Sequence, residues 1–150
     1  MLNLVNLLKG HMLSEKLLES IPHSIRIIRK FSTQSLGGFL TLQQFRVLKL
    51  LKEGHGQTQI AEILDVSVAA ISKMTTSLMN QKLITRKAGP DKRTQVIRLT
   101  PKGRMTLEKV KKYVEQKLGT GIEGLSKKDK SDLMQGLLAL DKLMQKMKEV

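Results

Sequence analysis

Apolar residues in the first quarter of the chain recur at helical spacing, with Leu17, Leu18, Ile21, Ile25, Ile28 and Phe31 falling between Ser14 and about Leu36. This spacing predicts a first helix for which Ser14 is available as a cap. Pro22 lies inside the pattern and lacks a backbone donor, so a kink or break is expected near it. The Gly37 and Gly38 pair then ends the segment. Thr41, with Gln44 three residues later, reads as a capping box that opens a second helix bearing Phe45, Leu48 and Leu51 and stopping at Gly54. After His55 and Gly56, Thr58 is placed to cap a short helix through Leu64. Asp65 and Val66 make a tight connection to Ser67, which caps a further helix running to about Lys82.

From Leu83 the period changes. Leu83 to Ala88 and Thr94 to Leu99 are short β-prone runs separated by Gly89, Pro90, Asp91, Lys92 and Arg93, which predicts a hairpin with a basic tip. Thr100 followed by Pro101 is a helix start, and the helix is expected to continue towards Gly119, with Gly103 as a local weakness. A loop from Gly119 to Leu125 precedes Ser126, which caps a last helix carrying Leu133, Leu137, Leu140, Met144 and Met147 on one stripe. The fold class is therefore mainly α with a small β-hairpin. Terminal helices this apolar need a partner, and Leu17, Ile21, Leu133, Leu137, Leu140 and Met144 are the candidates for pairing with a second copy.

The middle of the chain carries the function. Ile60, Ala61 and Leu64 are placed to pack against Val68, Ile71, Thr75 and Leu78 across a short turn, which is a helix-turn-helix arrangement. Burying those residues turns Ser67, Ala69, Ala70, Ser72, Lys73 and Thr76 outwards. Short side chains there let a helix sit deep in a DNA major groove about 12 Å wide, with hydroxyls and a lysine within reach of phosphates or base edges. Taken singly these are ordinary residues of a solvated helix face. The hairpin changes the weighting, because Arg86, Lys87, Lys92, Arg93 and Arg98 cluster there with Asp91 as the only acid. A wing of this kind lays its tip along the adjacent minor groove, with Arg93 as the inserted side chain. Asp91 is expected to pair with Arg86 or Arg93 and orient the tip. For Arg86 a structural role and a DNA contact stand level.

The charge agrees with this reading. Lysine and arginine number 27 against 13 acids, a formal charge of +14, which makes nucleic acid the first partner to consider. No segment approaches the roughly 20 apolar residues of a membrane span, so no membrane partner is expected. The absence of cysteine excludes disulfides and thiol-based sensing, and fits a reducing cytoplasm. His11, His23 and His55 lack the clustered spacing of a metal site, so neither metal nor cofactor is assigned. Met134, Met144 and Met147 read as core filling before oxidation sensors. An aromatic content of 3% argues against stacking platforms for single strands. No phosphate loop, nucleophile and base, or paired carboxylates mark an enzyme.

From about Leu42 to Gly103 the chain resembles the MarR family of winged-helix regulators. The resemblance rests on LTLQQFRVLKLL before the motif, IAEILDVSVAAISKMTTSL across it, LITR entering the wing, DKR at its tip and LTPKG leaving it. It implies a two-fold dimer built by the first helix and the last two. Each dimer would present its recognition helices to successive major grooves of a near-palindromic operator, about 34 Å apart. It further implies a bacterial or archaeal cytoplasmic protein, more often a repressor than an activator. A small aromatic or anionic effector is a partner of many members, in a crevice between the dimer helices and the winged domain.

The expected organisation is an N-terminal extension over 1–13, an N-terminal dimerisation region over 14–40, a winged helix-turn-helix domain over 41–99 and C-terminal dimerisation helices over 100–150. Duplex DNA and a second copy are the expected partners. Two other readings compete with sequence-specific regulation: a winged-helix protein-protein module, and a nonspecific nucleoid-type DNA-binding protein.

Overall fold

The first helix of the computed structural model, α1 (Leu2–Leu36), begins well ahead of Ser14. Ser14 is not a cap: its hydroxyl donates to the carbonyl of Gly10 at 2.9 Å, the back-bond of a residue inside a helix. Nor does the helix break at Pro22, which lies within it. A proline forfeits one bond to the carbonyl four residues back, and the turns on either side keep their own. Residues 2–88 and 95–148 are described. The chain divides into two compact units, residues 1–114 and 115–150.

In the first unit, Gly37 and Gly38 follow α1 with φ of 55° and 78°, and the chain then enters α2 (Leu42–Lys52). The capping box forms as the spacing predicts: the Gln44 N–H donates to the Thr41 hydroxyl at 3.2 Å, and the Thr41 N–H to the Gln44 side-chain oxygen at 2.9 Å. Helix α3 (Gln57–Leu64) starts earlier than Thr58. Gly56 takes the capping position, and its N–H donates to the Gln59 side chain at 3.0 Å. Asp65 closes α3 in the left-handed region, at φ 53°, and Ser67 caps α4 (Val68–Asn80) by accepting from the Ala70 N–H at 3.1 Å. Antiparallel strands β1 (Ile84–Ala88) and β2 (Gln95–Leu99) pair Ile84 with Leu99, Arg86 with Ile97 and Lys87 with Val96.

The core lies where α2, α3, α4 and the base of the hairpin meet. Val47, Leu48, Ile60, Ile71, Leu78 and Leu83 are fully buried, with Ile84 and Leu99 closing the hairpin end. Val47 falls outside the one-sided stripe expected of α2. That helix is covered on several sides, by α1, α3, α4 and β2, so more than one of its faces is apolar. Phe45 is only half-buried at the edge of the cluster.

Thr100 fastens the hairpin to α5 (Pro101–Glu123). Its hydroxyl donates to the Lys82 carbonyl at 2.8 Å and accepts from the Gly103 N–H at 3.1 Å, capping the helix, while its own N–H donates to the Leu83 carbonyl at 3.0 Å. Gly103, expected to weaken the helix, is buried against the Leu83 carbonyl at a point where no side chain fits.

The second unit holds the end of α5 and all of α6 (Lys127–Lys148). Helix α5 runs through Gly119 and Gly121 to Glu123, where a loop was expected. A helical glycine costs only about 1 kcal/mol against alanine, too little by itself to end a helix carried by its neighbours. Ser126 caps α6 as predicted, accepting from the Asp129 N–H at 3.1 Å. The α6 stripe is open to solvent within one chain: Leu133, Leu137, Met144 and Met147 are exposed and Leu140 is half-buried. No described helix is long and apolar enough to cross a membrane.

Candidate nucleic-acid interface

Helix α4 is fixed from two sides by glutamines. From α3, the Gln57 amide donates to the Thr75 hydroxyl at 2.8 Å, and that hydroxyl donates to the Ser72 carbonyl at 2.9 Å. Thr75 is fully buried, so both of its hydrogen-bonding roles are met inside the protein. From α2, the Gln44 amide donates to the Ser77 hydroxyl at 3.0 Å. These links, with Ile71 and Leu78 in the core, set which face of α4 turns out. Neither glutamine was singled out by spacing for this purpose, because a polar residue that bridges two helices leaves no periodic trace.

The outward face carries the expected residues. Ser67, Ala69, Ser72, Lys73 and Thr76 are exposed, and Ala70 is half-buried. One expectation fails here: Val68, assigned to the buried stripe, is 47% exposed. The stripe inside is Ile71, Thr75 and Leu78, with Met74 half-buried beside it. Val68 stands in the first turn of α4, directly after the cap, and borders a shallow pocket with Ala61 and Glu62 of α3. Val68 thus joins Ala69 as an exposed apolar group at the start of α4.

No acid occurs anywhere in α4, and none occupies the first turn of α2 or α3. The positive ends of these helix dipoles are left without a neutralising carboxylate, which favours an anion. On the hairpin, Arg86, Lys87 and Arg98 are exposed. Cross-strand pairing puts Lys87 on the side of Thr85 and Arg98, and Arg86 on the side of Ile97. Asp91, Lys92 and Arg93, and with them the expected ion pair at the tip, lie outside the described residues. Among the described residues, no group of three or more histidine, aspartate or glutamate side chains is placed to hold a metal.

This arrangement has known counterparts. The transcriptional regulator Tm0710 of Thermotoga maritima superposes with a TM-score of 0.74 at 22% identity, over 93% of this chain and 99% of that one. A multiple antibiotic-resistance repressor (MarR) of Listeria monocytogenes gives 0.73 at 14% identity, over 91% and 99%. A MepR mutant of S. aureus, bound to an oligodeoxyribonucleotide, gives 0.61 at 23% identity, over 87% and 97%. At these identities the likeness is one of fold. No match is found among curated proteins. The sequence itself matches the MarR family model over residues 40–95, the stretch that holds α2, α3, α4 and β1 and ends at the first residue of β2. The fold is that of these winged-helix structures, and residues 40–95 match the MarR family model.

Proposed function

We propose that the protein is a sequence-selective transcription regulator that binds a near-palindromic DNA operator as a homodimer, placing α4 in the major groove and the basic hairpin in the minor groove, and acts as a repressor. The observation that carries this is the outward face of α4: short side chains, one lysine and no acid, beside strands that add Arg86, Lys87 and Arg98. The DNA-bound MepR neighbour supports a duplex as the partner. In this reading Ser67, Ala69, Ala70, Ser72, Lys73 and Thr76 face the major groove, and Arg86, Lys87, Asp91, Lys92 and Arg93 build the wing. The protein-protein alternative draws no support from so basic a hairpin.

The division of labour follows the sequence: residues 41–99 for DNA, and 14–40 with 100–150 for pairing. Apolar side chains left in solvent on the terminal helices support the homodimer. Leu18, Ile25 and Ile28 are exposed on α1, and Leu133, Leu137 and Met144 on α6. Such stripes are costly on a monomer and are covered when a second copy docks. A small aromatic or anionic effector that relieves repression, and a cytoplasmic location, complete the proposal.

The test is selection of binding sites from random duplex DNA by the purified protein, with sedimentation to fix its mass. Enrichment of one near-palindrome with half-sites one helical turn apart, by a dimer, supports the reading. Binding that only follows charge and salt, with no sequence enriched, replaces it with the nonspecific nucleoid-type alternative.

A further inference from the structure

A groove of about 840 Å³ runs along β2, between the hairpin and the turn joining α2 to α3. Its lining mixes polar and apolar groups, the buried Leu51 and Leu99 among the apolar ones. Lys52 from α2, Lys87 from β1, Arg98 from β2 and Arg104 from α5 all line it, and no acid does. Among the described residues none of these four cations makes an ion pair. His55 also lines the groove. Glu53, just before it in sequence, lies 3.9 Å from both His55 and Lys49.

Two residues of the first turn of α3, Gln57 and Thr58, also border the groove. Gln57 is the residue tied to Thr75, so this border adjoins the buried side of α4. Lys87 stands on the strand that leads to the hairpin tip. The groove thus adjoins the start of α3 and the strands that lead to the wing. In the proposed complex a DNA strand separates the major groove that takes α4 from the minor groove that takes the wing.

We infer that the groove seats the phosphate backbone of that strand, held by Lys87, Arg98, Arg104 and Lys52 and by the first turn of α3. This rests on the proposed function and adds to it a contact made by neither the outer face of α4 nor the wing tip. Four like charges from four elements, lining one groove with no acid among them, repel one another until an anion arrives. Phosphate contacts of this kind set position and affinity without reading sequence.

The test uses the full-length protein and the duplex recovered by selection. Thr58→Glu places a carboxylate where the helix dipole welcomes it, so the unfolding midpoint should hold or rise. The same charge faces the seat, and duplex affinity should fall about tenfold or more, the equivalent of one lost contact. Arg98→Gln and Arg104→Gln should each flatten the slope of log affinity against log salt by about one unit, on selected and unrelated duplexes alike. The inference is overturned if all three variants keep wild-type affinity and salt slope while Lys73→Ala weakens binding, even if the groove then proves to take a small organic anion. If the wild-type protein binds no duplex, the proposed function itself fails and the seat falls with it.

Discussion

The α-carbon of Gly103 lies so close to the Leu83 carbonyl oxygen that a β-carbon built on it would stand 2.1 Å from that oxygen. The oxygen also accepts from the Thr100 N–H and hydroxyl, so it belongs to backbone that is tied in place. Gly103→Ala should therefore lower stability by about 1–3 kcal/mol, the usual cost of forcing a core apart. Gly121→Ala, in the same helix but with nothing within 4 Å of the new methyl, should instead raise it by about 0.5–1 kcal/mol. Urea denaturation of the two variants side by side checks both signs.

Why Gly103 misled the sequence reading is physical. A glycine in a helix looks like a propensity cost, and the compensating contact comes from a carbonyl twenty residues earlier in the chain. The capping boxes and turns lie at the other extreme. Thr41 with Gln44, Ser67, Ser126 and the Thr100–Pro101 start are local devices, read from neighbours within a few residues, and all four act as expected. The exposed face of α4 was legible for the same reason, through its 3.6-residue period. Val68, the Gln57–Thr75 bond and the groove beside β2 were not, because each depends on where a second element stops or crosses.

The bond between Gln57 and Thr75 gives a second prediction. Thr75→Val keeps the shape of the side chain but removes the hydroxyl that links α3 to the Ser72 carbonyl of α4. A loss of about 0.5–1.5 kcal/mol is expected, because half-buried Gln57 can recover a water partner. Thermal unfolding measures it.

Ser67→Ala should cost about 1 kcal/mol through the lost cap on α4. Ser67→Asp should restore that stability, since aspartate caps as well, while weakening duplex binding by placing a negative charge at the proposed DNA face. Opposite movements of unfolding midpoint and DNA affinity are the expected signature.

On the selected operator, Lys73→Ala should weaken binding to all duplexes and flatten the salt slope by about one unit. Arg93→Ala should cost about 1–3 kcal/mol as a groove contact. Fluorescence anisotropy across a salt series separates the two behaviours, and unchanged affinity in both would refute the assignment of the face.

Leu137 is 50% exposed in the single chain. Leu137→Lys should leave the winged domain folded and shift the sedimenting species towards monomer. In the unmodified protein the unfolding midpoint should rise with protein concentration, as expected where pairing and folding are linked.

The two hydroxyls at the ends of the outward face of α4 are not interchangeable. A carbonyl oxygen has no proton to give, so Thr76, 3.0 Å from the Ser72 carbonyl, must spend its own proton there and can present only lone pairs outwards. Ser67 spends a lone pair on the Ala70 N–H and keeps its proton. On the proposed DNA face one end of the helix can therefore donate, and the other can only accept. The folding of α4 thus fixes which hydroxyl can donate and which can only accept before any partner is met.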